Sequence, residues 1–321
     1  MRSQSGKSII IVSIVIICAL GIILTAFFWH KAGNSNQSTN NGPHKIKIVT
    51  TLFPLYDMAR YIGADKADIT LLLPPGTDAH TYEPKPSDIV KINEADIFVY
   101  TGKFMEPWAE DVIKSVSNKY LAVIDSSLGT KMISGVFHDA DEPPGSLDPH
   151  IWLDFDNAKI MADNIAQAMQ NADPANTTFY KQRVEDYNNT LSQIDLNYRN
   201  SLATCKTKEI VYGGHYAFGY LANRYGLKYT SAQGVSPDAE PTANDLIKLV
   251  QQIKTDNIKY VFYEELTSPK IAETIANETG AKMLLLNAAH NLTRDQFTQG
   301  LTFFDILNQN LDNLKTGLDC K

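Results

Sequence analysis

Residues 74–90, PPGTDAHTYEPKPSDIV, form a proline-rich segment that carries His80 on a predicted loop. The apolar run before it, residues 69–73, predicts a buried strand that the two prolines and the glycine end. Each later proline keeps the residue before it outside the helical region, so the loop stays extended until Ser87 or Asp88 caps a helix. A histidine on a stiff loop at the end of a strand is where an α/β protein places a ligand site.

Strand and helix patterns alternate on both sides of this loop. Strands that alternate with helices are typical of a parallel sheet with crossover helices. Residues 45–172 are therefore predicted to form an N-terminal α/β lobe. Its four predicted strands are residues 46–50, 69–73, 97–100 and 120–124.

Residues 173–205 are predicted to form one long amphipathic helix, because apolar residues recur at alternating steps of four and three. We interpret it as a linking helix, and a coiled-coil dimer helix is the alternative. Residues 206–321 then repeat the alternation as a C-terminal α/β lobe, which ends in a helix near residues 295–314. Its predicted strands are residues 209–213, 227–231, 260–263 and 282–286. The predicted fold class is α/β: two similar lobes, each a four-stranded mainly parallel sheet with helices, joined by one long helix, with a cleft between them.

The composition is that of an ordinary globular protein. The chain has 321 residues, of which 44% are hydrophobic and 20% charged, and its net charge is −7. An acidic chain without basic clusters argues against a nucleic-acid partner.

Residues 1–31 differ in character from the rest. No side chain from Ile9 to Trp29 is charged, and at 1.5 Å per residue such a helix spans about 30 Å, the thickness of a bilayer core. This run is longer than the hydrophobic part of a simple signal peptide. A retained anchor, lipidation at Cys18 and ordinary cleavage are the three alternatives. Ile17 argues against lipidation, because bacterial lipoprotein signals place a small residue before the cysteine.

All three alternatives put the remainder of the chain outside the cytoplasm. Residues 32–44 are polar and rich in Asn, Ser and Gly, so we expect a flexible linker. The sequence therefore predicts a globular body anchored to the outer face of the cell membrane.

Four histidines occupy equivalent positions just past or beside predicted strands: His80, His150, His215 and His290. A single histidine of this kind is more often solvated or structural, but four at strand ends, two in each lobe, indicate a shared site. Neutral imidazoles that converge in a cleft suit Zn²⁺, with tetrahedral geometry and Zn–N distances of about 2.0–2.1 Å. Mn²⁺ and Ca²⁺ prefer more carboxylate oxygens.

The chain resembles the solute-binding proteins of zinc and manganese ABC uptake transporters, the metal-binding lipoprotein family, over nearly all of residues 46–318. The motifs that carry the resemblance are PGTDAHTYEP at 75–84, DPHIWLD at 148–154, GHYAFGYL at 214–221 and ELTSPK at 265–270. The resemblance implies two lobes joined by a rigid helix, without catalysis. It also implies a metal bound in the cleft and delivered to an ABC permease with a cytoplasmic ATPase. We expect a monomer.

By the same resemblance, His80, His150 and His215 are the first three metal ligands. Manganese-binding members often have glutamate at the third position, so His215 favours zinc. The fourth position departs from the family pattern, because His290 stands where relatives place an acidic residue or water. Water or Glu264 is the alternative fourth ligand.

Carboxylates near the ligands are candidates to accept the second N–H of each histidine. The candidates are Glu83, Asp148 and Asp154, with Glu264 as a further candidate. A zinc hydrolase is a competing function, since Glu83 and Glu264 could act as bases, but the chain has no His-Glu-x-x-His motif. No repeats support a third idea, a surface adhesion protein.

Cys205 and Cys320 can pair in an extracytoplasmic compartment, where disulfides persist. Such a bond would tie the C-terminus to the start of the second lobe. Two free thiols are the alternative.

Overall fold

The fold is described from a computed structural model that covers residues 45–134, 147–235 and 241–321. Residues Lys45–Lys321 belong to one compact unit. The predicted anchor and the predicted linker, residues 1–44, lie outside the described residues. Among the helices in the described ranges, none is both long enough and apolar enough to cross a membrane.

The first sheet contains four parallel strands in the order β2-β1-β3-β4. Its helices lie between and after these strands, as the alternation predicts. The strands are β1 (Ile46–Thr50), β2 (Ala67–Leu71), β3 (Ile97–Tyr100) and β4 (Ala122–Asp125), and the helices are α1 (Phe53–Gly63), α2 (Pro86–Asn93), α3 (Ala109–Ser115) and α4 (Phe155–Ala172). Short 3-10 turns occupy Ala64–Lys66, Ile151–Leu153 and Pro174–Asn176.

The second sheet has the same topology, with parallel strands in the order β6-β5-β7-β8. Its strands are β5 (Glu209–Tyr212), β6 (Lys228–Ser231), β7 (Tyr260–Tyr263) and β8 (Lys282–Leu285), and its helices are α6 (Gly219–Tyr225), α7 (Ala243–Thr255), α8 (Lys270–Thr279), α9 (Arg294–Gln299) and α10 (Phe303–Gly317). In both sheets the strand order reverses next to the first strand. Ligands of open α/β sheets bind outside the carboxyl ends of strands at such a reversal.

The long helix α5 (Thr177–Ala203) joins the two lobes, as predicted. Its 27 residues span about 40 Å at 1.5 Å per residue. The apolar stripe is buried within the chain, including the fully buried Tyr180, Tyr187 and Tyr198. A stripe that is already buried cannot also be the seam of a coiled-coil dimer.

Two details differ from the sequence prediction. Asp88 is not the N-cap of α2 but its third residue, where the carboxylate accepts hydrogen bonds from the Lys85 backbone N–H (3.0 Å) and the Tyr82 hydroxyl (2.6 Å). The expected C-terminal helix is two helices, because Gly300 adopts a left-handed φ of 74° that ends α9. Thr302 then caps α10 with its hydroxyl.

The last helices contact the first lobe as well as the second. The Phe303 N–H donates to the buried carboxylate of Asp57 in α1 (2.9 Å). The Phe304 ring packs on Tyr187 (4.6 Å between centroids) and on Tyr61 (5.9 Å). The two lobes are therefore connected by α10 in addition to α5, and the exact domain boundaries stay a prediction.

Arg224 on α6 forms an ion-pair network between elements that are distant in sequence. Its guanidinium contacts Asp195 on α5 (2.8 Å), Asp154 (3.0 Å) and Asp156 (2.9 Å) at the start of α4. Burial opposes ionisation of Asp195, but Arg224 and Tyr225 hold its pKa at about 2. The network ties the second lobe to the first lobe and to the linking helix.

A disulfide joins Cys205 to Cys320 across 115 residues of sequence. We expect the loss of this bond to lower the free energy of unfolding of residues 45–321 by about 2–5 kcal/mol, because the cross-link restricts the unfolded chain. Urea denaturation of the zinc-free protein, with and without reductant, measures the difference. The Cys205→Ser/Cys320→Ser variant is the control, since reductant should not change it. Equal stability of the wild type in both conditions would contradict the prediction.

Candidate metal centre

The structure brings together the four histidines that the sequence places at strand ends. His80 lies in the loop after β2, His150 precedes the 3-10 turn at Ile151–Leu153, His215 follows β5, and His290 lies in the loop after β8. One ring nitrogen of each lies within 4.8 Å of the corresponding nitrogen of the others. His150 and His215 are fully buried, and His290 is 6% exposed.

The two loops that carry His80 and His290 are fixed by hydrogen bonds between the lobes. The Asn291 side chain donates to the carbonyls of Pro74 (2.7 Å) and Thr77 (3.0 Å), and the Gly76 N–H donates to the Leu292 carbonyl (2.7 Å). The φ of Gly76 is 87°, a value that disfavours any side chain. The His80 loop is thus held at the cleft by the segment that follows His290.

Two histidines have a carboxylate beside Nδ1. Asp148 Oδ1 lies 2.7 Å from Nδ1 of His150, and Glu264 Oε1 lies 2.7 Å from Nδ1 of His215. Because an ionised carboxylate only accepts hydrogen bonds, these contacts favour neutral rings with the proton on Nδ1 and the lone pair on Nε2. These two Nε2 atoms face each other at 3.2 Å.

Two lone pairs at this distance in a buried pocket repel each other unless a proton or a metal ion lies between them. Nε2 of His80 and Nε2 of His290 are also buried, and neither has a hydrogen-bond partner among the described residues. Buried nitrogens without partners are costly unless a ligand binds them. For tetrahedral zinc with Zn–N distances of about 2.0–2.1 Å, two ligand nitrogens lie about 3.3 Å apart. The separation of His150 Nε2 and His215 Nε2 therefore matches that of two ligands of a tetrahedral metal ion.

The electrostatics of the pocket differ between the histidines. Burial and the neighbouring imidazoles hold the pKa values of His80 and His150 well below the usual 6.5. Burial also acts to lower the pKa of His215, but Glu264 outweighs it, and the net pKa of His215 is raised. His215 is therefore the ring of these three that binds a proton most readily.

The other residues singled out from the sequence have different surroundings. Asp148 and Glu264 are buried beside histidines, as described above. Asp154 instead accepts the backbone N–H groups of Asp156 and Asn157 and pairs with Arg224. Glu83 is exposed to solvent.

Sequence reasoning missed Glu265, which faces His290 with Oε1 at 3.5 Å from Nδ1. The sequence does contain an indication of this contact, because two consecutive carboxylates, Glu264 and Glu265, follow directly after the predicted strand at residues 260–263. Only the folded loop makes clear that the two side chains reach different histidines.

Comparison with known proteins agrees with this geometry. The family model described as "ZnuA: Zinc-uptake complex component A periplasmic" matches residues 48–317. The chain belongs to this family. The resemblance inferred from the sequence motifs is thereby confirmed, and so are the two parallel α/β sheets joined by a long helix.

Individual relatives match most of the chain. The "High-affinity zinc uptake system protein ZnuA" of Bacillus subtilis (strain 168) is 36% identical over 307 residues, which are 92% of this chain and 96% of that protein. The metal-dependent lipoprotein YcdH from Bacillus subtilis has a TM-score of 0.74 at 37% identity, over 85% of this chain and all of that one. The Zn(II)-bound ZnuA-like domain of Streptococcus pneumoniae AdcA has a TM-score of 0.74 at 32% identity, over 86% of this chain and all of that one.

Asp148→Asn and Glu264→Gln should each weaken zinc binding by about 10–100-fold, the usual effect of removing the carboxylate partner of a metal-bound histidine. An amide can donate to Nδ1 and so favour the wrong tautomer. Competition titration with a chromophoric chelator measures the affinity. Asp111→Asn, on the exposed surface of α3, is the matched control and should bind like the wild type. Wild-type affinity in both site variants would show that the carboxylates do not act on the histidines.

Proposed function

We propose that this protein is an extracytoplasmic zinc receptor that captures Zn²⁺ with His80, His150, His215 and His290 and delivers it to an ABC permease driven by a cytoplasmic ATPase. The observation that carries the proposal is the cluster of four buried imidazoles whose metal-facing nitrogens lie within 4.8 Å of one another. The zinc-uptake relatives of the same family support the choice of metal.

Zinc is favoured over manganese by the chemistry of the donors. All four candidate ligands are imidazole nitrogens, which suit zinc, whereas manganese prefers oxygen ligands. Asp148 and Glu264 are directed at Nδ1 atoms and not at the point where the four rings converge. They support the ligands without adding oxygens to the set.

A zinc hydrolase fits this arrangement less well. A catalytic zinc site keeps an open coordination position for water, with a base beside it. Four histidines would complete a tetrahedral set, and the candidate bases are either paired with His215, as Glu264 is, or exposed, as Glu83 is. We therefore propose binding and release without catalysis, and a hydrolysis screen of the zinc-loaded protein should detect no turnover.

Alanine substitution of each ligand should weaken zinc binding by more than the 10–100-fold expected for their carboxylate partners. The variants are His80→Ala, His150→Ala, His215→Ala and His290→Ala. Zinc titration measures the affinity, and thermal unfolding of the zinc-free variants checks that each is folded. An unchanged affinity removes that residue from the ligand set, and for His290 it would mean that water or Glu264 completes the site.

Zinc affinity should depend on pH, because protons compete with zinc for the same nitrogens. The raised pKa of His215 means that zinc must displace a proton from this ring as the pH falls toward 6.5 and below. Affinity should then fall by up to about tenfold per pH unit for that one proton. His80 and His150, whose pKa values are well below 6.5, should add to the slope only at lower pH.

Calorimetry in buffers of different ionisation enthalpy counts the protons released on zinc binding. Glu264→Gln removes the carboxylate that raises the pKa of His215. Zinc binding to this variant should therefore release no proton near pH 6.5, where the wild type releases one from His215. Equal proton release in the wild type and in this variant would contradict the assignment.

We further propose that the protein acts as a monomer held at the outer face of the membrane by residues 1–31. The uncharged run from Ile9 to Trp29 and the polar linker after it support anchoring. Protease treatment of intact cells should release the globular body. A body that resists the protease and fractionates with the cytosol would contradict the proposal.

A further inference from the structure

Glu265 is a buried carboxylate with a position distinct from that of its neighbour Glu264. Only 7% of its side chain is exposed, and its Oε1 lies 3.5 Å from Nδ1 of His290. That oxygen has no hydrogen-bond partner among the residues that the structure describes. Burying a carboxylate oxygen without a hydrogen-bond partner costs free energy of folding. The position of this oxygen beside the imidazole therefore suggests a function at the site.

The second oxygen of Glu265 holds the loop that carries His290. Glu265 Oε2 accepts the Ala288 N–H (2.9 Å), while the Ala288 carbonyl accepts the indole N–H of Trp152 (2.8 Å). Ala289 adopts a left-handed φ of 63°, which is uncommon for a residue with a side chain. The hydrogen bonds of Ala288 to Glu265 and Trp152 therefore help to maintain the uncommon backbone conformation of Ala289, directly before His290.

The same carboxylate lies on the Nδ1 side of the imidazole of His290. By its charge it favours the tautomer with the proton on Nδ1, which leaves the lone pair on Nε2. Nε2 of His290 is buried and has no partner within the described ranges. One residue thus contacts both the loop and the ring of the proposed fourth ligand.

We propose that Glu265 is a positioning residue that fixes the ring orientation and tautomer of His290, and so makes His290 the fourth ligand and the residue that selects zinc over manganese. The inference rests on the proposed function of the site. With His290 misdirected, three nitrogens and water would remain. Such a site loses part of the advantage that a complete nitrogen set gives to zinc.

Glu265→Gln tests the role with little change of shape. The amide oxygen can keep the bond from the Ala288 N–H, but the amide NH₂ then faces Nδ1 of His290 and reverses the tautomer. We expect zinc affinity to fall by about 10–100-fold and the preference for zinc over manganese to decrease. The measurement is competition titration with each metal on the full chain purified in detergent. Glu273→Gln, exposed on α8, is the matched control and should retain wild-type affinity.

A double-mutant cycle separates positioning from a general structural effect. If Glu265 acts through His290, adding Glu265→Gln to His290→Ala should cause no further loss of affinity. The visible absorption of bound Co²⁺ should also lose four-nitrogen tetrahedral character in Glu265→Gln and in His290→Ala alike.

Wild-type affinity in Glu265→Gln, or an equal additional loss in the His290→Ala background, would overturn the role of Glu265. Both results are distinct from failure of the proposed function, in which the wild type itself would not bind zinc. Wild-type affinity in His290→Ala would also overturn the role, because Glu265 would then have no ligand to position.

Discussion

The structure depends on one electrostatic constraint: imidazole nitrogens with unshared lone pairs are held close together in a buried pocket. Nε2 of His150 and Nε2 of His215 lie 3.2 Å apart, and each ring is held from behind by a carboxylate. Without a proton or a metal ion between the two nitrogens, such a contact opposes folding, so the rest of the fold must stabilise it. A bound metal ion makes the contact favourable, because both lone pairs then become ligands.

The fold meets this constraint with rigid connections between the two lobes. Three features join the two lobes: the linking helix α5, the contact of Phe303 with Asp57, and the Arg224 network. At the cleft itself, Asn291 hydrogen bonds to the loop that precedes His80. The loops that carry His80 and His290 are therefore held to each other across the cleft, which favours a preorganised site over one assembled by the metal.

Charge balance explains why carboxylates surround a site of neutral ligands. Four neutral imidazoles would leave the full charge of a divalent cation in a buried environment, and a buried charge is costly unless it is paired. Asp148, Glu264 and Glu265 lie within 2.7–3.5 Å of the far sides of three of the rings. They supply negative charge through the imidazoles while leaving the inner ligand set free of oxygen.

The alternation of strands and helices, the linking helix and the four histidines at strand ends could all be predicted from the amino-acid sequence. These features are local, since side-chain periodicity and proline or glycine at strand ends act over a few residues. Other features depend on long-range contacts and became visible only in the folded chain. These features are the separation of α9 from α10 at Gly300, the pairing of Asp154 with Arg224, and the approach of Glu265 to His290. Which carboxylate reaches which histidine could not be predicted, because the partners lie on different loops whose approach is set by the packing of one lobe against the other.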